Sequence, residues 1–143
     1  MNKFSAFVSV LLLILTLDGQ ANEQMPDNVK TVELFVAFFN AQDSGAMASL
    51  VVDDIEWLSF VGKEVIVEAK GKNNLIESMN DYFKSCSTCK SELSDIVSTK
   101  SRVSAVEIAS WQGKNGQRSQ RAISVYEFSA GLIARVYYFP AEK

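Results

Sequence analysis

No histidine occurs anywhere in the 143 residues. The side chain that ordinarily takes and returns a proton near neutrality is therefore missing, and Ser–His and Cys–His nucleophilic schemes go with it. Cysteine is limited to two residues, both in Cys86-Ser87-Thr88-Cys89, and two thiolates without a histidine do not complete a zinc site. Basic residues are outnumbered, 14 Lys and Arg against 17 Asp and Glu, for a net charge of −3. They are also scattered, whereas a nucleic-acid partner calls for a basic patch or stripe. No internal repeat or low-complexity tract interrupts the chain; only residues 22–28 read as a flexible lead-in. These absences leave a single folded domain with no metal, no cofactor and no nucleic acid expected.

One long apolar run is present, and it stands at the start. Lys3 is followed by residues 4–17, broken only by Ser5, Ser9 and Thr16, and then by Asp18-Gly19-Gln20-Ala21. The run is shorter than the roughly 20 residues that span a bilayer. Small Gly19 and Ala21 stand where a signal peptidase reads its site. Residues 1–21 are thus expected to be a signal peptide and residues 22–143 one domain, periplasmic or secreted, with no membrane attachment after cleavage. No cysteine adjoins the cleavage site, which speaks against a lipid anchor. A chain of this size buries about two-thirds of its unfolded surface, enough for one core. In an oxidising compartment Cys86 and Cys89 are expected to form a local disulfide. A thiol-exchange role is disfavoured because the motif follows a helical stretch, 74–85, whose C-terminal end carries partial negative charge and opposes a thiolate.

The remaining pattern changes from helical to alternating. Val29, Val32, Leu34, Phe35, Val36, Phe38 and Phe39 recur at helical spacing and the helix ends near Asn40-Ala41-Gln42-Asp43. Asp43-Ser44-Gly45 caps a shorter helix with Ala46, Met47 and Leu50 inward. Strands follow at 55–60 and 65–68, then a helix opening at Asn73 or Asn74 with Leu75, Ile76, Met79, Tyr82 and Phe83 on its buried side. Four strands complete the chain, at 92–99, 102–112, 118–128 and 132–139. Gly113-Lys114-Asn115-Gly116 and Ser129-Ala130-Gly131 turn the chain between them, and Pro140 stops the last strand. This order indicates an α+β domain with helices on one face of a curved antiparallel sheet.

The helix ending Asn40-Ala41-Gln42-Asp43, then Val52-Asp53-Asp54-Ile55-Glu56-Trp57, Gly71 before a helix, Val125-Tyr126-Glu127-Phe128, and Gly131-Leu132-Ile133 leading to Tyr137-Tyr138-Phe139, together resemble the nuclear transport factor 2-like superfamily and its SnoaL-like domains. The resemblance covers nearly the whole mature chain. It implies a cone-shaped fold of three N-terminal helices packed on a strongly curved, mostly antiparallel sheet, commonly dimeric. Its members include isomerases, cyclases, dehydratases, epoxide hydrolases and non-catalytic ligand-binding domains, so fold does not assign function. In the ketosteroid isomerases of this fold a carboxylate, a phenol and a protonated carboxyl do the work. The corresponding places here fall at Ser59, Phe35 and Ser124, and none carries the needed group.

By parity and resemblance, Phe35, Phe39, Trp57, Ser59, Tyr82, Ser124, Tyr126 and Tyr138 are expected to line the cone. They either fill it as ordinary core or hold a small apolar or amphipathic ligand by stacking and hydroxyl contacts. Parity leaves open whether Glu107 and Trp111 face the cone or the outside, and an enzyme reading requires Glu64, Glu68 or Glu107 to turn inward as the base. The opposite face, with Arg121, Ile123, Val125, Glu127, Ile133, Arg135, Tyr137 and Phe139, is too apolar to stand free, and a homodimer is its simplest cover. The favoured expectation is an exported ligand-binding or accessory domain; the other is an enzyme with a buried Glu. The exported protein recovered from its host is expected to start at Asn22 by intact-mass spectrometry, and a Met1 terminus in the cytosolic fraction overturns the export reading.

Overall fold

The computed structural model describes residues 27–141, so the expected signal segment lies outside the described residues. Helix α1 (Asn28–Asn40) and helix α2 (Ser44–Ser49) come first, followed by strands β1 (Val51–Val61) and β2 (Glu64–Lys70). Helix α3 (Lys72–Ser85) is inserted next, before β3 (Lys90–Ser98), β4 (Arg102–Gly113), β5 (Gly116–Ser129) and β6 (Leu132–Phe139). Only two of the three helices therefore precede the sheet. The strands form one six-stranded sheet in the order β2-β1-β6-β5-β4-β3. β1 and β6 run parallel while the other neighbours are antiparallel, making the sheet mixed. It is not strongly curled, which corrects the tighter cone expected from the resemblance.

Local chemistry explains the element ends. Asp27 caps α1 by accepting from Lys30 N at 3.1 Å, and Asp43 caps α2 by accepting from Ala46 N at 2.8 Å, each satisfying an amide that has no partner within its helix. The β5–β6 turn places Ala130 at φ 49° and Gly131 at φ 80°, the positive pair that a two-residue hairpin favours. Gly71 opens α3 at φ 86°, ψ 150°, a region reserved for glycine. From there its amide reaches Ile55 O at 2.7 Å.

The helices pack against the sheet's inner face, α1 over β3 and β4 and α3 over β1 and β2. Val32, Phe35, Met47, Val51, Ile55, Leu75, Val103, Tyr126, Ile133 and Val136 belong to one buried cluster. Ile133 was expected on the outer face. Pairing explains the difference: Phe128 faces Ile133 and Glu127 faces Arg135, so Ala134 is an extra residue that breaks the alternation. Ile133 and Val136 consequently both point inward, at 0% and 1% exposure.

At the sheet's far edge α1 is joined to β3 by a side chain. Asn40 Nδ2 donates to Ser91 O at 2.8 Å and its Oδ1 accepts from Ser91 N at 2.7 Å. On the outer face a ladder of opposite charges crosses five strands. Lys70 meets Glu56 at 3.0 Å, Arg135 meets Glu56 at 2.9 Å and Glu127 at 3.4 Å, and Arg102 meets Glu127 at 2.6 Å. Hydrogen bonds from Lys70 and Arg135 lower the pKa of Glu56. The ladder is exposed enough that its net worth is small.

An added Cβ at Gly71 meets nothing nearer than Asp53 O at 3.7 Å. The cost of Gly71→Ala is therefore backbone strain alone, about 1–3 kcal/mol, read as a lower urea midpoint at unchanged slope.

Candidate functional site

The inner face and the helices over it enclose a cavity of about 540 Å³. Phe35, Val36 and Phe39 come from α1, Trp57 and Ser59 from β1, and Met79 and Tyr82 from α3. Glu107 and Trp111 from β4, Tyr126 from β5 and Tyr138 from β6 complete the far wall. Phe35 sets its ring 6.2 Å from Trp57 and 6.1 Å from Tyr126, centre to centre, and Phe39 lies 5.7 Å from Tyr82. These are the offset and edge contacts that aromatic quadrupoles favour. The aromatics thus pack against one another and still leave a space between them.

Of the residues expected from the sequence, Phe35, Phe39, Trp57, Ser59, Tyr82, Tyr126 and Tyr138 line this one space. Ser124 does not. It shares the inner face with Tyr126, paired across to Ala105 and Tyr138, but its side chain ends within the packing layer at 0% exposure. Its Oγ is near enough to the Tyr126 phenol to favour the phenolate slightly, yet without hydrogen-bond geometry to any partner.

Glu107, whose face the sequence left open, turns inward. Its Oε1 accepts from Ser91 Oγ and its Oε2 from the Tyr126 hydroxyl at 3.3 Å. The Asn40 clamp on the Ser91 backbone holds the first of these donors in place. Burial, and then the negative charge of Glu107, push the Tyr126 phenol well above the ordinary tyrosine value. The same two causes raise Tyr82, and with Tyr82 added they push Tyr138 up to about 12. All three phenols therefore stand as neutral hydrogen-bonding groups around the carboxylate at neutral pH.

Glu68 reaches the cavity by a different route. Trp57 pairs with Ala69 and Leu58 with Val67, leaving Glu68 as the extra residue of a bulge, and it lines the opening while Glu64 does not. Lys90 at the rim donates through Nζ to Asn40 O. The disulfide between Cys86 and Cys89, with Cα atoms 5.4 Å apart, forms part of the wall instead of lying apart from it. Among the described residues no three His, Cys, Asp or Glu side chains gather as a metal site requires, and no helix is long and apolar enough to cross a membrane.

A signal for Glu107 and Trp111 was present in the β4–β5 hairpin. Gly113 pairs with Gly116, and counting back from that pair sets Glu107 opposite Ala122 and Trp111 opposite Arg118. Directly opposed residues share a face, so Glu107 must lie with Ala122, Ser124 and Tyr126. For Glu68 the signal is plain alternation, since Ile66 pairs with Ser59 on the inner face and Glu68 stands two residues further on.

Solved structures with the same fold bear on the architecture. A cystatin-fold protein from Novosphingobium aromaticivorans superposes with a TM-score of 0.67 at 21% identity, covering 78% of this chain and 96% of its own. An NTF2-like protein from Cytophaga hutchinsonii gives 0.61 at 17%, covering 80% and 97%. TerC, crystallised with polyporic acid, gives 0.67 at 13%, covering 79% and 90%. At such identities the likeness establishes fold alone. No curated protein matches the sequence. The profile of the SnoaL-like domain, however, matches residues 32–136, the stretch from the first buried turn of α1 to the inward Val136 of β6, and the chain belongs to the SnoaL-like domain family.

Proposed function

We propose that this SnoaL-like domain is an exported binding module that holds a small apolar or amphipathic molecule in its aromatic cavity. The observation that carries the reading is the cavity itself: about 540 Å³, within the range of roughly 300–1,000 Å³ common to small-molecule sites. Its walls carry Phe, Trp and Tyr with polar side chains among them, Ser59, Ser91, Glu107 and Gln120 included. Aromatic walls supply burial worth about 25 cal/mol for each Å² removed from water, and the hydroxyls fix orientation. TerC, which shares the fold, has been crystallised with polyporic acid, so a protein of this architecture accommodates a small organic molecule. Export rests on the signal-like residues 1–21 alone.

Native mass spectrometry of protein from its host is expected to show a retained small-molecule mass that Trp57→Ala removes and Tyr138→Phe weakens. Ligand-free protein under the mildest conditions, together with no binding of any aromatic probe, refutes the module.

A second reading is favoured by one specific observation, the inward carboxylate of Glu107. A general base must come within about 2.6–3.2 Å of the proton it removes, and Glu107 is the ionisable group seated among the phenols. In this reading the domain is an enzyme in which Glu107 takes a proton and Tyr126 or Tyr138 donates to the oxygen left behind. The readings separate on one experiment. Incubating the co-purified molecule with wild type and with Glu107→Gln gives no chemical change in either case if the domain only binds; product from wild type alone makes it an enzyme.

The proposal extends to assembly. Ile123 and Phe139 stand 54% and 41% exposed on the outer face, and Phe139 stacks on Phe60 at 4.7 Å with ring planes 15° apart. A second copy is the simplest cover for this apolar surface. Light scattering is expected to give a dimer for wild type and a folded monomer for Ile123→Lys; a monomeric wild type at micromolar concentration defeats the dimer.

A further inference from the structure

We infer that the molecule held in the cavity is an amine, an aromatic or alicyclic body carrying a protonated nitrogen that seats on Glu107. The inference rests on the binding reading above and names its ligand class. Among the described residues two carboxylates, Glu68 and Glu107, line the cavity, with Lys90 as the one cation and no arginine. Lys90 is exposed at the rim and its Nζ is engaged by Asn40 O, so it leaves Glu107 without a cationic partner.

The donors that do reach Glu107 are hydroxyls, from Ser91 and Tyr126. They orient the carboxylate but do not cancel its charge, and they occupy two of its roughly four acceptor positions. The other acceptor positions remain for an incoming N–H⁺. An anion brings a second negative charge beside a partly buried carboxylate, where screening is weaker than in bulk water, and a neutral body leaves that charge uncompensated. Trp57, Tyr82 and Tyr138 line the same cavity, and an aromatic ring attracts a cation that reaches its face. The raised pKa values of the same tyrosines keep those rings from becoming anions themselves, so one carboxylate holds the charge and the aromatic faces hold the body.

The test is isothermal titration at pH 7 of the mature protein with three probes that share a phenyl body: 2-phenylethylammonium, 2-phenylethanol and 3-phenylpropionate. The ammonium is expected to bind about tenfold or more tightly than the alcohol, the increment of a charge-assisted hydrogen bond, with the propionate weakest. Glu107→Gln is expected to remove that advantage, bringing the ammonium to within about twofold of the alcohol on the same variant, its fold checked by circular dichroism melting. Equal affinity for ammonium and alcohol, or a preference for propionate, overturns the amine inference and leaves the cavity as a binding site. An ammonium advantage that survives Glu107→Gln overturns the role of Glu107. Absence of heat with all three probes overturns the amine inference and counts equally against the binding reading. The comparison of ammonium with alcohol needs no variant, so instability of Glu107→Gln does not shelter the inference.

Discussion

The reciprocal pair of hydrogen bonds between the Asn40 side chain and the Ser91 backbone sets the geometry on which the cavity depends. β3 is an edge strand, and the start of such a strand has peptide groups facing no neighbour. Ser91 is nearly buried, so those groups cannot simply turn to water. The amide of Asn40 offers one donor and one acceptor in the spacing of a strand, and the end of α1 is thereby fixed to the sheet. Two consequences follow from that one contact. Phe35 and Phe39, on the same helix, are held over the inner face as a roof, and the Ser91 hydroxyl is held under Glu107. Each such bond is worth only about 1 kcal/mol net. Losing the amide would nevertheless orphan buried backbone groups and release both the roof and the carboxylate.

The two faces of the sheet treat charge in opposite ways. Outside, Glu56 and Glu127 are met by Lys70, Arg135 and Arg102, and the alternation leaves little field beyond the ladder. Burial raises the Glu127 pKa, but hydrogen bonds from Arg102 and Tyr137 outweigh it and the carboxyl ends below its ordinary value. Inside, Glu107 is met by neutral hydroxyls. A carboxylate solvated by hydroxyls keeps its charge available, whereas one paired to arginine has already spent it. The same residue type is therefore structural on one side of a strand pair and chemically open on the other.

Much of this arrangement was legible in the sequence. The order of helices and strands, the Asp43 cap, the turn at Gly131 and most of the aromatic lining follow from periodicity, because they depend on residues close in sequence. What escaped depends on breaks in that periodicity. Ile133 was assigned outward because strict alternation from Tyr137 puts it there, and the single extra residue Ala134 reverses it. Ser124 had the right face and the wrong length, a short side chain among larger neighbours. The place of the third helix after the second strand follows from the order of elements around Gly71, and only the resemblance grouped all three helices at the N-terminus. A curved sheet was expected from the strand pattern and a strongly curved one from the resemblance, and the sheet is not strongly curled.

Both tryptophans of the chain, Trp57 and Trp111, line the cavity. No indole lies elsewhere to dilute the signal, so the whole of the protein's tryptophan emission originates at the walls of one space. Entry of a molecule, displacement of water or loosening of the α1 roof each changes the polarity around those two rings directly. The domain is in effect labelled at its own interior, and its intrinsic fluorescence reads occupancy without any attached dye.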